Sequence, residues 1–541
     1  MAKLSLLDRV VAAIDPVAAV RRQQARQVLA VYGEAYHGAD HRRRAIRNWR
    51  PAASSPDAAT LPQLVDLRAH SRDLVRNNPL AGGAVATVTT SVVGTGLSVQ
   101  PQLLAARLRM TPEQAREWGQ QAKEYFELWA SRAEWCDMAA RLNFYGLQEL
   151  AFRSALESGD CFGLLPMQRL MGEPFLTKVQ LVEADRVMNP RSGVTSIADS
   201  EEWAGGIRVD GNGRAVSAWI ADRHPGDVTA GALGGREVPF FAANTGRRGL
   251  MHLCAFNRPG ERRGVPYLAP VMEPLKQLGT YTDAEIMAAV VSGMFTVFVQ
   301  RPVPEDPRQR AAEQDGTVGP GQVKNAEIGL DSGAIIELGE GEQINTANPG
   351  RPNTAFDPFV QAILRQIGVR LELPFEVLIK HYTASYSAAR AALLEAWRFY
   401  RKRREWLAGQ FCQPVYEAVI TELVLDGRLR APGFLRDPLL RACYLRAVWI
   451  GDAPGAIDPM KEAEAAGKRI EIGISDKAAE TVAYSGRNWE DVHAQRVREQ
   501  EAERRDGLAA APAQPAAAGA GAAPADDGEP STTNEDTDAT P

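Results

Sequence analysis

Leu373 to Trp406 reads LPFEVLIKHYTASYSAARAALLEAWRFYRKRREW. An apolar helix is expected to end at Leu373-Pro374, because the residue before a proline is driven out of the helical region. A short loop follows, carrying Lys380, His381, Tyr382, Thr383 and Tyr386. A long Ala/Leu/Arg helix then starts at Ser387. Two long helices presenting a small polar loop have the form of machinery; no catalytic triad or cofactor cradle is visible in them.

Working outward, Asp357-Pro358 is read as the cap of the preceding helix, with Val360, Ile363, Leu364, Ile367 and Leu371 on one face. The helix from Ser387 is expected to reach about Leu425, kinked at Pro414, with Gly427 beyond its end. From Pro270 another helical pattern steps by fours and threes through Val271, Leu275, Leu278, Thr282, Ile286, Ala289 and Gly293. About 28 residues at 1.5 Å each span roughly 40 Å. Residues 296–355 break into strand-like pieces, FTVFVQ and AIIELG. Upstream, helices are expected over 61–77 and from Pro79, then from Thr111-Pro112, where Gln114 completes a capping box, and over 144–158. Short strand-like runs follow at 161–167, 175–182, 206–220 and 249–256, and Asp210-Gly211-Asn212-Gly213 marks a hairpin. That tetrapeptide resembles a calcium loop only in part, since no closing Glu stands at the required place.

At 541 residues the chain exceeds one simple core. Its five cysteines are far apart with no CxxC pair, which predicts reduced, buried thiols. Residues 508–541 hold six acids and no Lys or Arg, so a net charge of −5 becomes about +1 for the rest. A near-neutral body with an acidic tail implies that any DNA contact is local. The tail's Ala/Pro/Gly composition cannot bury enough apolar surface to order itself. A chain ending at residue 507 is therefore expected to keep the melting temperature of the full chain; a large drop on truncation would refute this. Residues 20–50 carry eight arginines against Glu34 and Asp40, either a contact for DNA or an acidic partner or a solvated arm. No signal peptide is visible, and the weakly polar runs at 80–94 and 286–299 fall short of the ~20 residues a membrane helix needs.

Enzyme signatures are missing from the sequence. There is no GxxxxGK[ST], GxSxG or HExxH, and Gly467-Lys468 lacks both the upstream glycine and the hydroxyl. Gly94-Thr95-Gly96 and Gly339-Glu340-Gly341 lack the third glycine of a dinucleotide cradle. His37 and His41 are four apart, yet arginines crowd them and no third ligand is near. His252 and Cys254 share a strand face, which fits a packed core pair better than a two-ligand site. No metal or cofactor is implied.

Four blocks together resemble the portal proteins of tailed bacteriophages, of the lambda-like family. They are LRAHSRDLVRNNPLAGGAVATVTTSVVGTGLSVQPQ (67–102), EADRV (183–187), FNRPGERRGVPYLAPVMEPLKQLGTYTDAEIMAA (256–289) and FVQAILRQIGVRLELPFEVLIKHYTASYSAARAALLEAWRFYRKRREWL (359–407). The resemblance implies a non-enzymatic α+β subunit of a ring, typically dodecameric, at one capsid vertex of the virion, assembled in the host bacterial cytoplasm. Double-stranded DNA passes through such a ring. Its partners are the terminase large subunit, major capsid and scaffold proteins and head–tail connector proteins, with no membrane. Laid onto this chain, the family's parts become an arm and linker (1–60), a mixed α/β wing (61–267) and a first stem helix (268–295). A small α/β clip (296–356), a second stem helix (357–373) and a tunnel loop (374–386) follow. Last come a long wing helix and connection (387–440), a helical crown (441–507) and a disordered acidic tail (508–541).

A passage for a moving duplex touches phosphates without gripping bases. Lys380, His381, Tyr382, Thr383 and Tyr386 supply one positive charge and several hydrogen-bonding tips per subunit, although Tyr382 and Tyr386 could instead pack on the neighbouring helix. Arg398, Arg401, Lys402, Arg403 and Arg404 could face DNA or capsid protein, or pair with acids of the next subunit. Leu275, Leu278, Ile286, Ala289, Gly293, Ile363 and Ile367 are candidates for packing between stems in a closing ring. Two other readings remain: a nucleic-acid-binding adaptor, favoured by the Arg-rich arm, and a nuclease or ATPase subunit of DNA packaging, which would need acidic metal ligands or a phosphate loop.

Overall fold

Asn78 decides how the first two long helices meet. Its side chain accepts from the N–H groups of Leu80 and Ala81, both at 3.0 Å, and so opens α2 (Pro79–Val92) where α1 (Leu64–Asn77) stops. Gly82 lets the two helices close, because a Cβ there would stand 2.7 Å from the Val75 carbonyl oxygen. Strand β1 is Ser98–Pro101, and α3 is Pro112–Ser131. The expected capping box opens α3: Gln114 N–H donates to Thr111 Oγ1 at 3.2 Å and Thr111 N–H to Gln114 Oε1 at 3.0 Å. Helix α4 is Phe144–Ser158. This computed structural model describes residues 43–190, 203–227, 234–293, 297–300, 343–346, 355–382, 385–455 and 458–508, with 14–18, 20–21, 24–25, 37–39 and 41 ahead of them.

Two antiparallel sheets follow. The first has the order β3–β2–β8, from β2 (Asp160–Leu164), β3 (Gln180–Val182) and β8 (Leu250–Cys254). The second runs in order from β4 (Trp203–Ala204) through β5 (Ile207–Val209) and β6 (Ala215–Ala221) to β7 (Gly235–Pro239). The expected hairpin joins β5 to β6: Asp210 Oδ1 accepts from the N–H groups of Asn212 and Arg214, both at 2.9 Å, and Gly213 takes φ 80°. No calcium geometry is needed to explain that carboxylate.

Helix α5 is Met272–Gly293, preceded by a 3-10 turn at Ala269–Val271. It is shorter than expected, at 22 residues. Strands β9 (Val297–Gln300) and β10 (Gln343–Thr346) pair antiparallel, so FTVFVQ does enter a strand; AIIELG lies outside the described residues. Helix α6 is Phe356–Arg370. Asp357 is not its cap, which is Ala355; Asp357 lies in the first turn and accepts from Gln361 at 2.6 Å. Pro358 is tolerated there because first-turn N–H groups lack helical partners anyway. After α6 come α7 (Phe375–Ile379), α8 (Tyr386–Leu407) and α9 (Gln413–Leu425).

The disruption expected at Pro414 takes the form of a π-turn over Ala408–Cys412 just before it. Gln413 N–H reaches back to the Ala408 carbonyl, five residues away, and the widened turn gives the proline ring room against the preceding carbonyls. Side chains from the turn and from the end of α8 reach the edge of β8. Gln410 Oε1 accepts from Cys254 N–H at 3.0 Å, and Trp406 Nε1 donates to the Cys254 carbonyl at 3.1 Å. At the end of α9, Gly427 (φ 75°) closes a Schellman motif in which Arg428 N–H donates to Leu423 O at 2.9 Å.

The largest core joins α2, α3, α4, α8 and α9 around interlocked rings. Phe126 lies 5.3 Å from Trp129 and 5.4 Å from Tyr416, and Phe144 stacks on Phe411. Helix α10 (Pro438–Leu445) and strand β11 (Ala447–Ile450), which pairs antiparallel with β1, complete the compact unit ending at Gly451. The second unit begins at Asp452 and contains α11 (Pro459–Glu471), α12 (Lys477–Ser485) and α13 (Trp489–Arg505). All five cysteines are buried free thiols, as their spacing implied. Among the described residues no helix is long and apolar enough to cross a membrane.

Candidate nucleic-acid interface

Leu371 and Leu373 are buried at the end of α6, and Tyr267 hydroxyl donates to the Leu371 carbonyl. Gly368 allows the chain to fold back: Leu373 N–H donates to its carbonyl at 2.9 Å, and a Cβ at Gly368 would meet Leu373 O at 2.7 Å. Pro374 then opens α7, so Phe375–Ile379 is a helical turn rather than loop. Its Val377 and Leu378 are buried and anchor it to α2, α6 and α8. The turn ends at Lys380 in the left-handed conformation (φ 55°), and His381 N–H donates to Glu376 O at 3.1 Å. Lys380, His381 and Tyr382 emerge exposed from this buried base, Tyr382 at 51 %. Thr383 lies outside the described residues. Tyr386 is the first residue of α8, one earlier than the expected start at Ser387.

The basic run of α8 divides in two. Arg404 donates to the carbonyls of Val92 (3.0 Å) and Ser91 (3.2 Å), capping the negative end of α2, and its guanidinium lies 5.2 Å over Trp397. Arg403 lies 5.2 Å over Phe399 and 6.0 Å over Tyr267. These two are bound into the subunit and leave the set of surface candidates. Arg398, Arg401 and Lys402 are exposed, with Arg398 paired to Glu395 at 3.0 Å on the same helix. Between α6 and α8 an open pocket of about 830 Å³ is lined by buried Leu373 and Phe399, exposed Val369, and Arg365, Arg398 and Lys402.

The stem candidates also separate. Leu275, Leu278 and Ile367 are buried in the chain's own core, so they cannot form a lateral contact face; Ile363 is half-buried against that core. Ile286 (56 % exposed) and Ala289 remain on the surface of α5, beside exposed Met287 and Val290. Gly293 ends the helix. Tyr281 ties α5 to α6 by rings 5.6 Å from Phe356 and 5.2 Å from Phe359.

Sequence reasoning missed a buried ionic cluster. Asp160, at the start of β2, is fully buried and accepts from Arg263 Nε (2.6 Å) and Nη2 (3.0 Å), Arg68 Nη2 (2.9 Å), His252 Nε2 (3.2 Å) and Gly264 N–H (3.2 Å). Arg263 spends its other donors on the carbonyls of Val187, Gly205 and Ala184, each at 2.7 Å. Burial opposes the charge on Asp160, but the Arg263 and Arg68 guanidiniums outweigh it and hold the carboxyl far below the usual carboxylate range. Burial, then the Arg263 charge, brings Arg68 down to about 10. Arg68 also pairs with Asp185 at 3.3 Å, and Arg72 bridges Asp185 and Glu183. A signal existed: Arg68 and Arg72, Asp185, and Arg263 belong to three of the four blocks singled out above. Those blocks converge on one buried ionic cluster.

Glu183, Asp185 and His224 bring ligand atoms within 4.8 Å of one another. The Arg72 guanidinium already lies against both carboxylates, so a bound cation is not needed there. His252 stacks on Phe162 at 4.3 Å, the packed core histidine that its strand position implied. Burial holds its imidazole below the ordinary value against the pull of Asp160. A group whose folded value is depressed contributes stability above its unfolded value, ~6.5 for His, and loses it as pH falls toward the folded value. His252→Asn is therefore expected to flatten the loss of urea resistance between pH 7.5 and 5; an unchanged pH slope would show that folding does not shift the His252 proton affinity.

Residues 42–404 match the family described as phage portal protein, lambda family. The chain is 24% identical over 482 residues to portal protein B of Escherichia phage lambda, covering 86% of this chain and 88% of that one. It is 25% identical over 488 residues to the portal protein of Escherichia phage N15, covering 86% and 89%. Among solved structures it is similar to a chain of the virion of a native gene transfer agent particle (TM-score 0.40, 13% identity, 80% of this chain and 94% of that one). It is also similar to one from the neck of that particle computed with C12 symmetry (TM-score 0.39, 14% identity, 78% and 92%). With the match covering residues 42–404, the chain belongs to the lambda family of phage portal proteins, which are structural, non-enzymatic components of the virion.

Proposed function

We propose that copies of this chain close into a ring, about a dozen subunits at the capsid vertex, and that double-stranded DNA passes through it during packaging and ejection. The observation that carries this reading is the exposed connection Lys380–Tyr382, held on the buried turn of α7 and continued by α8. A mobile duplex needs contacts that are weak in each subunit and summed by repetition, and one lysine with two polar rings on a buried base meets that need. Lateral closure draws on the exposed apolar face of α5 around Ile286. Arg398, Arg401 and Lys402 remain as the basic surface for DNA or an acidic partner. The terminase large subunit, capsid and scaffold proteins and head–tail connectors are the partners that such a ring docks.

Electron microscopy of the purified full chain tests this directly. Closed rings with a central channel wide enough for a duplex are expected. A preparation of dispersed monomers would favour the adaptor reading instead, and metal-dependent nuclease activity would favour a processing enzyme.

A further inference from the structure

The second compact unit has a property that its three helices share with none of α1 to α6, α8 or α9 of the first. No residue of α11, α12 or α13 is buried. Local signals for these helices are nonetheless complete. Asp458, Asp476 and Asn488 accept from first-turn N–H groups of α11, α12 and α13. Arg469 on α11 holds Glu480 on α12 through two bonds of 2.8 and 2.6 Å. Yet Met460, Ile472, Ile474 and Tyr484 are all more than half exposed, Ile474 at 70 %. Helices of 13, 9 and 17 residues are marginal when isolated. Without buried side chains, the caps and the Arg469–Glu480 pair offset only a small part of an ordering cost of ~1.5 kcal/mol per residue.

We propose that residues 459–505 acquire their core from the same residues of neighbouring copies, so that this unit orders only as the chains assemble. The occupant of its apolar surface is thus a second copy of this chain. Charge selects that occupant over nucleic acid: residues 459–505 contain nine Lys and Arg against ten Asp and Glu, interspersed along all three helices. A duplex calls for a basic stripe, which this surface lacks. Identical bodies that each bring both signs can instead satisfy one another around a closing ring. The inference rests on the ring proposed above and adds to it that one part of the subunit is folded by the ring.

Hydrogen exchange on the full chain, with monomeric and assembled fractions separated by gel filtration, tests it. Amides of 459–505 are expected to exchange at least about tenfold more slowly in the assembly than in the monomer, while those of α2 and α9 are protected in both. Ile474→Ser is expected to leave the monomer's melting unchanged and to erase that added protection. Equal protection of 459–505 in both fractions overturns the proposal. Protection gained in an open oligomer without a channel would sink the ring reading and leave this one standing. Closed rings whose 459–505 amides exchange as fast as in the monomer would do the reverse. A chain that stays monomeric at every concentration overturns both.

Discussion

Asp160→Ala is expected to destabilise the first unit by about 3–5 kcal/mol, read as a shift of the urea midpoint at unchanged slope. The magnitude comes from what is left behind rather than from the pair itself. Arg263 and Arg68 are both almost wholly buried, and without the carboxylate two guanidiniums face each other with no anion between them. Asp185 is too far toward the surface to replace it for both, since it reaches only Arg68, at 3.3 Å. Asp160→Asn keeps the volume but removes the charge and turns one acceptor into a donor aimed at guanidinium N–H groups, so it is expected to fall near the alanine variant. A stability within ~0.5 kcal/mol of the parent chain for both variants would mean that the cluster relaxes around water, and that it is not what holds the first unit together. The cluster joins α1, β2, β8 and the segment leading to α5, so its loss is also expected to reduce assembly indirectly.

Lys380→Glu is expected to leave rings intact and to abolish stable DNA packaging, measured as DNA retained per assembled particle. The Lys380 backbone caps α7, but its side chain is exposed and makes no ion pair with the described residues, so assembly has no reason to fail when only that side chain is changed. The electrostatic change is large because it repeats. One charge near a phosphate at ~4 Å is worth about 1 kcal/mol in water, and reversal doubles the change at each subunit before the ring multiplies it. Salt screens part of this, so the defect should be deepest at low ionic strength. Lys380→Ala and Tyr382→Ala are expected to give the same defect in milder form. Loss of ring assembly in any of the three would move this connection from the channel to a subunit interface.

The order of helices and strands was legible in the sequence wherever the signal is short-range. The Thr111/Gln114 box, the Asn78-Pro79 junction, the Asp210–Gly213 hairpin and the Gly427 closure all formed as read, because each depends on bonds between residues at most five apart. The family was legible too, from four blocks read together in order, although overall identity to the two relatives is only about a quarter. Less legible were α7 and the π-turn. A five-residue helix is too short for a periodic pattern, and the shape of a proline's disruption depends on what the neighbouring turn can bond to. For α8 that neighbour is the edge of β8, supplied from more than 150 residues away.

By itself the sequence determined the local elements, the absence of enzyme signatures and the polar connection between two long helices. Only the tertiary structure decided which charges remain available. Nothing along α8 distinguishes Arg404 from Arg401, yet one is taken up by the carbonyls of α2 and the other stays in solvent. Nor does anything near Asp160 announce that its partners stand 92 and 103 residues away. Desolvation forces a buried charge to find an opposite one wherever packing brings it, and that choice is made by shape across the whole chain rather than by any spacing along it.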